Sequence, residues 1–219
     1  MRCALGAIVC VAFLFGAAYV ASASPSFRGY TGLVKIPTAQ TLDRGEFSFG
    51  VTTENTANAD PDNAFATYSP RDDVEIGIDS YLPPETKTRQ TLFNAKYRFL
   101  PGNEKTPGVA IGLIDFTNEL QGTAYAVATK SLFRRASIFN SFISVRGNAG
   151  LGVGDINGFF AGLSVYAGNR VMFSAEWDSE DVNIGFRFTP VKGFRLHAAM
   201  FDVGNLDQFG IGMSFTKTY

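Results

Sequence analysis

The last eleven residues, FGIGMSFTKTY from Phe209 to Tyr219, alternate in character with a period of two. Ile211, Met213, Phe215, Lys217 and Tyr219 share one side, while Gly210, Gly212, Ser214, Thr216 and Thr218 share the other. Neighbouring side chains of a strand point to opposite faces, so this stretch is a strand with one apolar and one small, polar face. When tilted it is long enough to cross the hydrocarbon of a bilayer. Lys217 interrupts the apolar side, but at a strand end its long stem can carry the charge to the interface. The other home for such a segment is the last strand of a soluble sheet.

The same alternation recurs along the chain. Strands are predicted at 46–52, 64–69, 74–81, 90–99, 109–116, 123–130, 140–146, 158–167, 171–177, 183–189 and 194–201, before the closing one. The outward side is ambiguous for 109–116 and 123–130, which carry apolar residues on both sides. Residues 132–139 read as a loop or a short helix, and the Gly-rich run 147–157 as a long loop. No proline falls inside a predicted strand interior, as pairing by backbone N–H requires. The even number of strands, about twelve, suits a single-chain bacterial barrel. Turns at Pro70, Gly168 and Pro190 would lie at one end together with both chain ends, and the longer loops at the other. Two connections, 100–107 and 132–139, are longer than this asymmetry predicts.

Residues 1–23 read as a secretory signal: Arg2, an apolar run from Ala4 to Val20, then Ala21-Ser22-Ala23 as a cleavage site. Both cysteines, Cys3 and Cys10, lie within it, so a chain cleaved after Ala23 has no disulfide, thiol nucleophile or thiolate metal site. No other run is apolar and long enough for a transmembrane helix, which leaves strands to do any crossing. The formal net charge of −1 makes no electrostatic case for nucleic acid.

Charge placement bears most on the environment. Glu46, Glu75, Asp79, Lys96, Arg98, Arg146, Glu176, Arg187 and Arg195 all fall on one side of their strands, opposite Phe, Val, Ile, Leu, Tyr and Trp. A sandwich would turn the charges to bulk water, whereas a membrane barrel turns them into its lumen and its apolar side to lipid. The signal segment, the cysteine-free mature chain and aromatic strand ends at Tyr97, Phe99, Trp177 and Phe188 favour the barrel. The expectation is an all-β fold, an antiparallel transmembrane β-barrel of about twelve strands following a cleaved signal peptide. Its parts would be the signal at 1–23, an extended periplasmic lead-in at 24–44 and the barrel at 45–219. Glu75, Asp79, Lys96, Arg98, Arg146, Glu176, Arg187 and Arg195 would be the lumen-lining charges.

Two stretches resemble known proteins. The aromatic-ended final strand resembles the closing strand of bacterial outer-membrane barrels. Gly29-x-Thr31-Gly32-Leu33, Ile36-Pro37-Thr38-Ala39 and Gly45-Glu46-Phe47 with Phe49-Gly50 resemble the N-terminal signature of the YjbH-type family. Those are outer-membrane barrel proteins linked to exopolysaccharide production, and larger members are several times longer. The resemblance implies a short single-barrel relative, an accessory in exopolysaccharide export or production, with outer-membrane lipid, polysaccharide and export machinery as partners. A passive, porin-like channel for small polar solutes is the alternative, and an outer-membrane enzyme is the third reading.

Little in the sequence suits catalysis. Gly150-x-Gly152-x-Gly154 lacks the Lys-Ser/Thr and the helix of a phosphate loop. His197, the only histidine, shares its side with Arg195 and is expected in the lumen, away from lipid esters, with no Gly-x-Ser-x-Gly in the chain. Asn58-x-Asp60-x-Asp62 and Asp178-Ser179-Glu180-Asp181 are acidic loop clusters that could hold Ca²⁺ weakly; the first lacks the Gly and distant Glu of an EF-hand, and solvated loop charge is the expected reading. No cofactor is expected.

Overall fold

A computed structural model of the chain describes residues 23–54, 62–83, 88–136, 142–204 and 208–218. The expected signal segment up to residue 22, Tyr219, and Asn58 and Asp60 of the first acidic loop lie outside these. Twelve strands form one closed barrel: β1 Glu46–Thr53, β2 Asn63–Arg71, β3 Val74–Tyr81, β4 Gln90–Leu100, β5 Gly108–Ile114 and β6 Thr123–Ala136, then β7 Phe142–Val153, β8 Gly158–Ala167, β9 Val171–Trp177, β10 Val182–Val191, β11 Phe194–Phe201 and β12 Gln208–Thr218. Each strand pairs antiparallel with its sequence neighbours, and β1 pairs with β12 from Glu46↔Thr218 to Thr53↔Ile211, which leaves no sheet edge exposed.

Register and alternation together fix what faces where, because a one-residue slip would turn every side chain of a strand to the other side. Outward stand residues such as Phe49, Ile76, Tyr97, Ile111, Leu163, Phe173 and Ile211, all exposed. Inward stand Ser48, Thr67, Glu75, Asn94, Ser174, Arg187 and Ser214, all buried. This is the reverse of a water-soluble protein, in which large apolar side chains are the buried class. Rings pair on the outside near both ends: Phe49 with Phe215 at 5.8 Å, and Phe159 with Trp177 at 6.0 Å. The short connections at 72–73, 168–170 and 192–193 lie at one end, called here the turn end, together with the start of β1 and the finish of β12. The opposite, loop end holds the connections that follow β1, β3, β5, β7, β9 and β11.

Three expectations need correction. Residues 132–136 are neither loop nor helix but the continuation of β6, which has a β-bulge at Leu132, between Ser131 and Phe133, and pairs Phe133 with Val145 and Arg135 with Ile143. Residues 147–153 are not a loop but most of β7. Their glycines are a packing requirement, since a Cβ at Gly150 would stand 2.2 Å from the Phe160 ring and one at Gly152 would stand 2.4 Å from the Ile156 carbonyl oxygen. Pro70 and Pro190 lie within β2 and β10, at the register shifts that end their ladders, where a missing N–H is tolerated.

The fourth difference concerns residues 24–44. Expected as an extended periplasmic lead-in, they fold back inside the barrel. Two tight bridges, Pro25↔Thr31 and Gly32↔Pro37, shape the segment. Gly29 makes the first turn possible: its φ is +87°, and a Cβ there would meet the Phe65 side chain at 2.5 Å. Leu33, Ile36 and Ala39 pack against Ala110, Tyr125, Val127 and Phe160 from β5, β6 and β8. Phe27 and Val34 pack against Ala199 and Phe201 of β11. The core of this molecule is therefore the contact between a short irregular segment and the inner wall.

Candidate functional site

An irregular backbone inside a barrel has N–H and C=O groups with neither ladder nor water to satisfy them, and each left unpaired would cost about 1–3 kcal/mol. The inward charges meet that demand. On β3 and β4, Glu75 and Lys96 stand opposite each other, with Lys96 Nζ 3.5 Å from Glu75 Oε1. Glu75 accepts from the Thr31 backbone N–H at 2.9 Å and the Leu42 N–H at 3.2 Å. Lys96 donates to the Thr31 carbonyl at 2.7 Å and the Gln40 carbonyl at 3.2 Å. On β9, Glu176 accepts three consecutive backbone N–H groups: Val34 at 2.8 Å, Lys35 at 2.6 Å and Ile36 at 3.2 Å. On β10, Arg187 donates to the carbonyls of Pro25 at 2.7 Å and Leu33 at 3.2 Å. Neutral residues complete the set, with Thr129 accepting from Ala39 N–H at 2.8 Å and Asn63 donating to the Phe27 carbonyl at 2.9 Å.

The other four sequence-predicted charges do not contact this segment in the same way. Asp79 is buried on β3 and accepts from Asn94 at 2.8 Å. Arg195 donates to Thr216 Oγ1 at 2.6 Å, and Thr216 in turn donates to Ser48 at 2.9 Å, which ties the inner side of the β11–β12–β1 seam. Arg98 and Arg146 are half-buried toward the turn end, where Arg98 donates to the Asp72 carbonyl and Arg146 stacks on Tyr166 at 4.9 Å.

Near the loop end two ion pairs latch the segment. Arg28 Nε lies 2.8 Å from Glu54 Oε1, and its guanidinium lies 3.8 Å over the Tyr81 ring. Burial pushes the Glu54 carboxyl up, but the Arg28 guanidinium outweighs it and holds the group below the usual carboxylate range. Lys35 Nζ lies 3.4 Å from Asp178, whose carboxylate also accepts from Asp181 N–H at 2.8 Å and Asn183 at 2.9 Å. Burial again acts upward on Asp178, and the Asp181 N–H followed by the Lys35 charge bring it below the ordinary value. These bonds hold the acidic loop's own turn, and among the described residues no group of three His, Cys, Asp or Glu side chains is arranged to hold a metal ion.

His197 has a defined role in this interior. Arg187 Nε–H donates to His197 Nδ1 at 3.2 Å, and Phe27 packs edge-on to the ring at 6.1 Å. A guanidinium can only donate, so Nδ1 must accept and the proton of the neutral ring sits on Nε2. Nε2, 2.8 Å from Ser214 Oγ, is then a donor to the hydroxyl. A nucleophilic serine needs the reverse, a histidine nitrogen free to take its proton. The Ser214–His197 pair is thus a structural hydrogen bond beneath the inserted segment.

The fit leaves little space. The gap between Tyr30 and the wall at Glu75, Lys96 and Tyr125 is too tight to admit a water molecule. Glycines on the inner wall make room for specific side chains: a Cβ at Gly162 would meet Leu33 at 2.8 Å and Ile36 at 2.9 Å, and one at Gly185 would meet Val34 at 2.7 Å. Sequence reasoning named the anchoring charges without their ligand. The signal that pointed to it was apolar residues on both sides of β5 and β6, since Ala110, Tyr125 and Val127 face inward and have Leu33 and Ile36 to meet. The chain matches no protein-family model and no curated protein.

Proposed function

We propose that this chain is a non-enzymatic bacterial outer-membrane β-barrel whose resting lumen is closed by its own residues 24–44, and that it acts as an accessory in exopolysaccharide export or production. The observation that carries the reading is the closed barrel with its apolar side out and its charged side bound to an inserted segment. Such a wall suits hydrocarbon, and a non-helical, non-strand backbone at membrane depth is tolerated only where protein or a cavity surrounds it. The link to polysaccharide rests on the YjbH-type signature alone. Its residues Thr31, Leu33, Ile36 and Ala39 are among those that seat the segment, so the likeness concerns the plug and its entry to β1.

The test is single-channel recording of the signal-cleaved protein in a planar bilayer, with insertion verified by protease protection. The intact barrel is expected to be silent, and a variant lacking residues 24–44 to give unitary steps. Steady conductance by the intact protein would overturn the closed reading in favour of a passive channel. For the cellular role, deletion of the gene is expected to change surface polysaccharide, and an unchanged glycan yield would count against it.

A further inference from the structure

The outer wall is not uniform. On described strands, the outward side carries no carboxylate, and its cations are Arg71, Lys130, Arg135 and Lys217, all toward the turn end. Arg71 is paired with Asp73 at 3.0 Å. Lys130 stands opposite Gly147 on β7, one residue beyond the level where β5 begins, since Gly108 pairs with Thr129. From Lys130 a groove of about 520 Å³ runs over β6 to β9. Its floor is Ala128, Ala149, Ala161 and Ala175, where neighbouring parts of the wall carry Ile, Leu or Phe. Leu132, Leu163 and Trp177 bank it. Leu132 leans over Gly147, where a Cβ would stand 3.1 Å from its Cδ1.

We propose that this groove seats one anionic phospholipid, an acyl chain lying along the alanine floor toward Trp177 and the phosphate at Lys130. The inference rests on the bilayer reading. Charge complementarity selects the occupant: a lysine at the edge of an apolar wall with no outward carboxylate needs a counter-ion at headgroup depth. The polarity of the lipid follows from the two ends. Described loop-end connections expose carboxylates, Glu119, Asp155 and Glu180 among them, which repel a phosphate, while the turn-end edge of the wall carries the cations. A second copy of the barrel would bring another alkaline edge to Lys130, so it fits less well than lipid.

The test uses the full chain reconstituted into nanodiscs of phosphatidylcholine with a minority of phosphatidylglycerol, released and weighed by native mass spectrometry. The wild type is expected to retain one phosphatidylglycerol in preference to phosphatidylcholine. Lys130→Gln should reduce that preference about fivefold, the effect of one lysine beside an anionic headgroup. Ala161→Phe, which fills the groove without touching the charge, should reduce retention of either lipid, and Lys192→Gln, away from the groove, should behave as wild type. Equal retention of both lipids by an inserted wild type, or undiminished preference in Lys130→Gln, would overturn the lipid seat alone. Failure of the chain to insert, seen as complete digestion by added protease, would overturn the bilayer reading and this inference together.

Discussion

Replacing Glu176 by glutamine isolates the strongest anchor of the inserted segment with almost no change of shape. The carboxylate accepts Val34 N–H through Oε2 and Lys35 and Ile36 N–H through Oε1. Glutamine keeps one acceptor oxygen, which would stay with Lys35 and Ile36, and turns an NH₂ toward Val34 N–H, donor against donor. One buried N–H is then orphaned, at about 1–3 kcal/mol, and the remaining bonds lose their charge assistance, about another 1 kcal/mol. A loss of about 2–4 kcal/mol, at tenfold per 1.4 kcal/mol, raises the population of undocked segment about thirty- to a thousandfold. The chain has cysteines only at positions 3 and 10, so Ser26→Cys in a background without those two gives one buried reporter. Its rate of reaction with a water-soluble thiol reagent follows the undocked population when redocking is fast. The Glu176→Gln rate should exceed the parent's by that factor, with far-UV circular dichroism of the barrel unchanged. A rate within threefold of the parent's in a folded barrel would refute the claim that Glu176 holds the segment.

Other perturbations address the remaining contacts. Gly162→Val drives a branched side chain into the space of Leu33 and Ile36 and should accelerate labelling at position 26 while leaving the strand ladder intact; unchanged labelling would mean the two do not meet. Lys96→Met leaves Glu75 buried without its cation and should cost about 3–5 kcal/mol, measured by urea unfolding in lipid vesicles. Glu54 is held below the ordinary carboxylate range, so its pairing with Arg28 stabilises docking fully above about pH 4.3, the unpaired value, and the contribution fades as pH falls through its lower folded value. The labelling difference between wild type and Glu54→Gln should be constant above that pH and shrink below it; a difference that grows in acid would contradict the sign.

How far the sequence could be read follows from what each side of a strand touches. β4 and β12 alternate cleanly because their outward residues, Phe93, Tyr97, Ile211 and Met213, are large and apolar, while Asn94, Lys96, Gly212 and Ser214 face inward. β5 and β6 defeat the same test because the wall they present to Leu33 and Ile36 must also be apolar. The run 147–153 has the composition of a loop, yet its inward glycines make room for Phe160 of β8 and for Ile156 in the connection that leads to it. The lead-in shows no period because it is held through its backbone, and backbone groups are the same whatever the sequence. The side chains that hold it, Glu75, Glu176 and Arg187, are separated from it by between 33 and 162 positions, and only the closed sheet brings them back.

The inward charges and the irregular segment are best understood as one feature. A carboxylate or guanidinium in a narrow lumen is costly unless paired, and so is a backbone without secondary structure; each supplies the other's partner. Removing residues 24–44 therefore leaves Glu75, Glu176 and Arg187 to be solvated by water, and a filled interior becomes an aqueous one. In that opened barrel the inward cations Lys96, Arg98, Arg146, Arg187 and Arg195 exceed the carboxylates Glu46, Glu75, Asp79 and Glu176, so the current should favour anions. Arg187→Glu in the same background replaces a cation by an anion midway along β10 and should move the reversal potential in a salt gradient toward cation preference. In the intact barrel the same reversal should yield no selective current, because the Pro25 and Leu33 carbonyls lose their donor while the rest of the segment stays anchored at Glu75 and Glu176. An opened barrel whose reversal potential ignores Arg187→Glu would mean that ions do not pass the place where the segment had been.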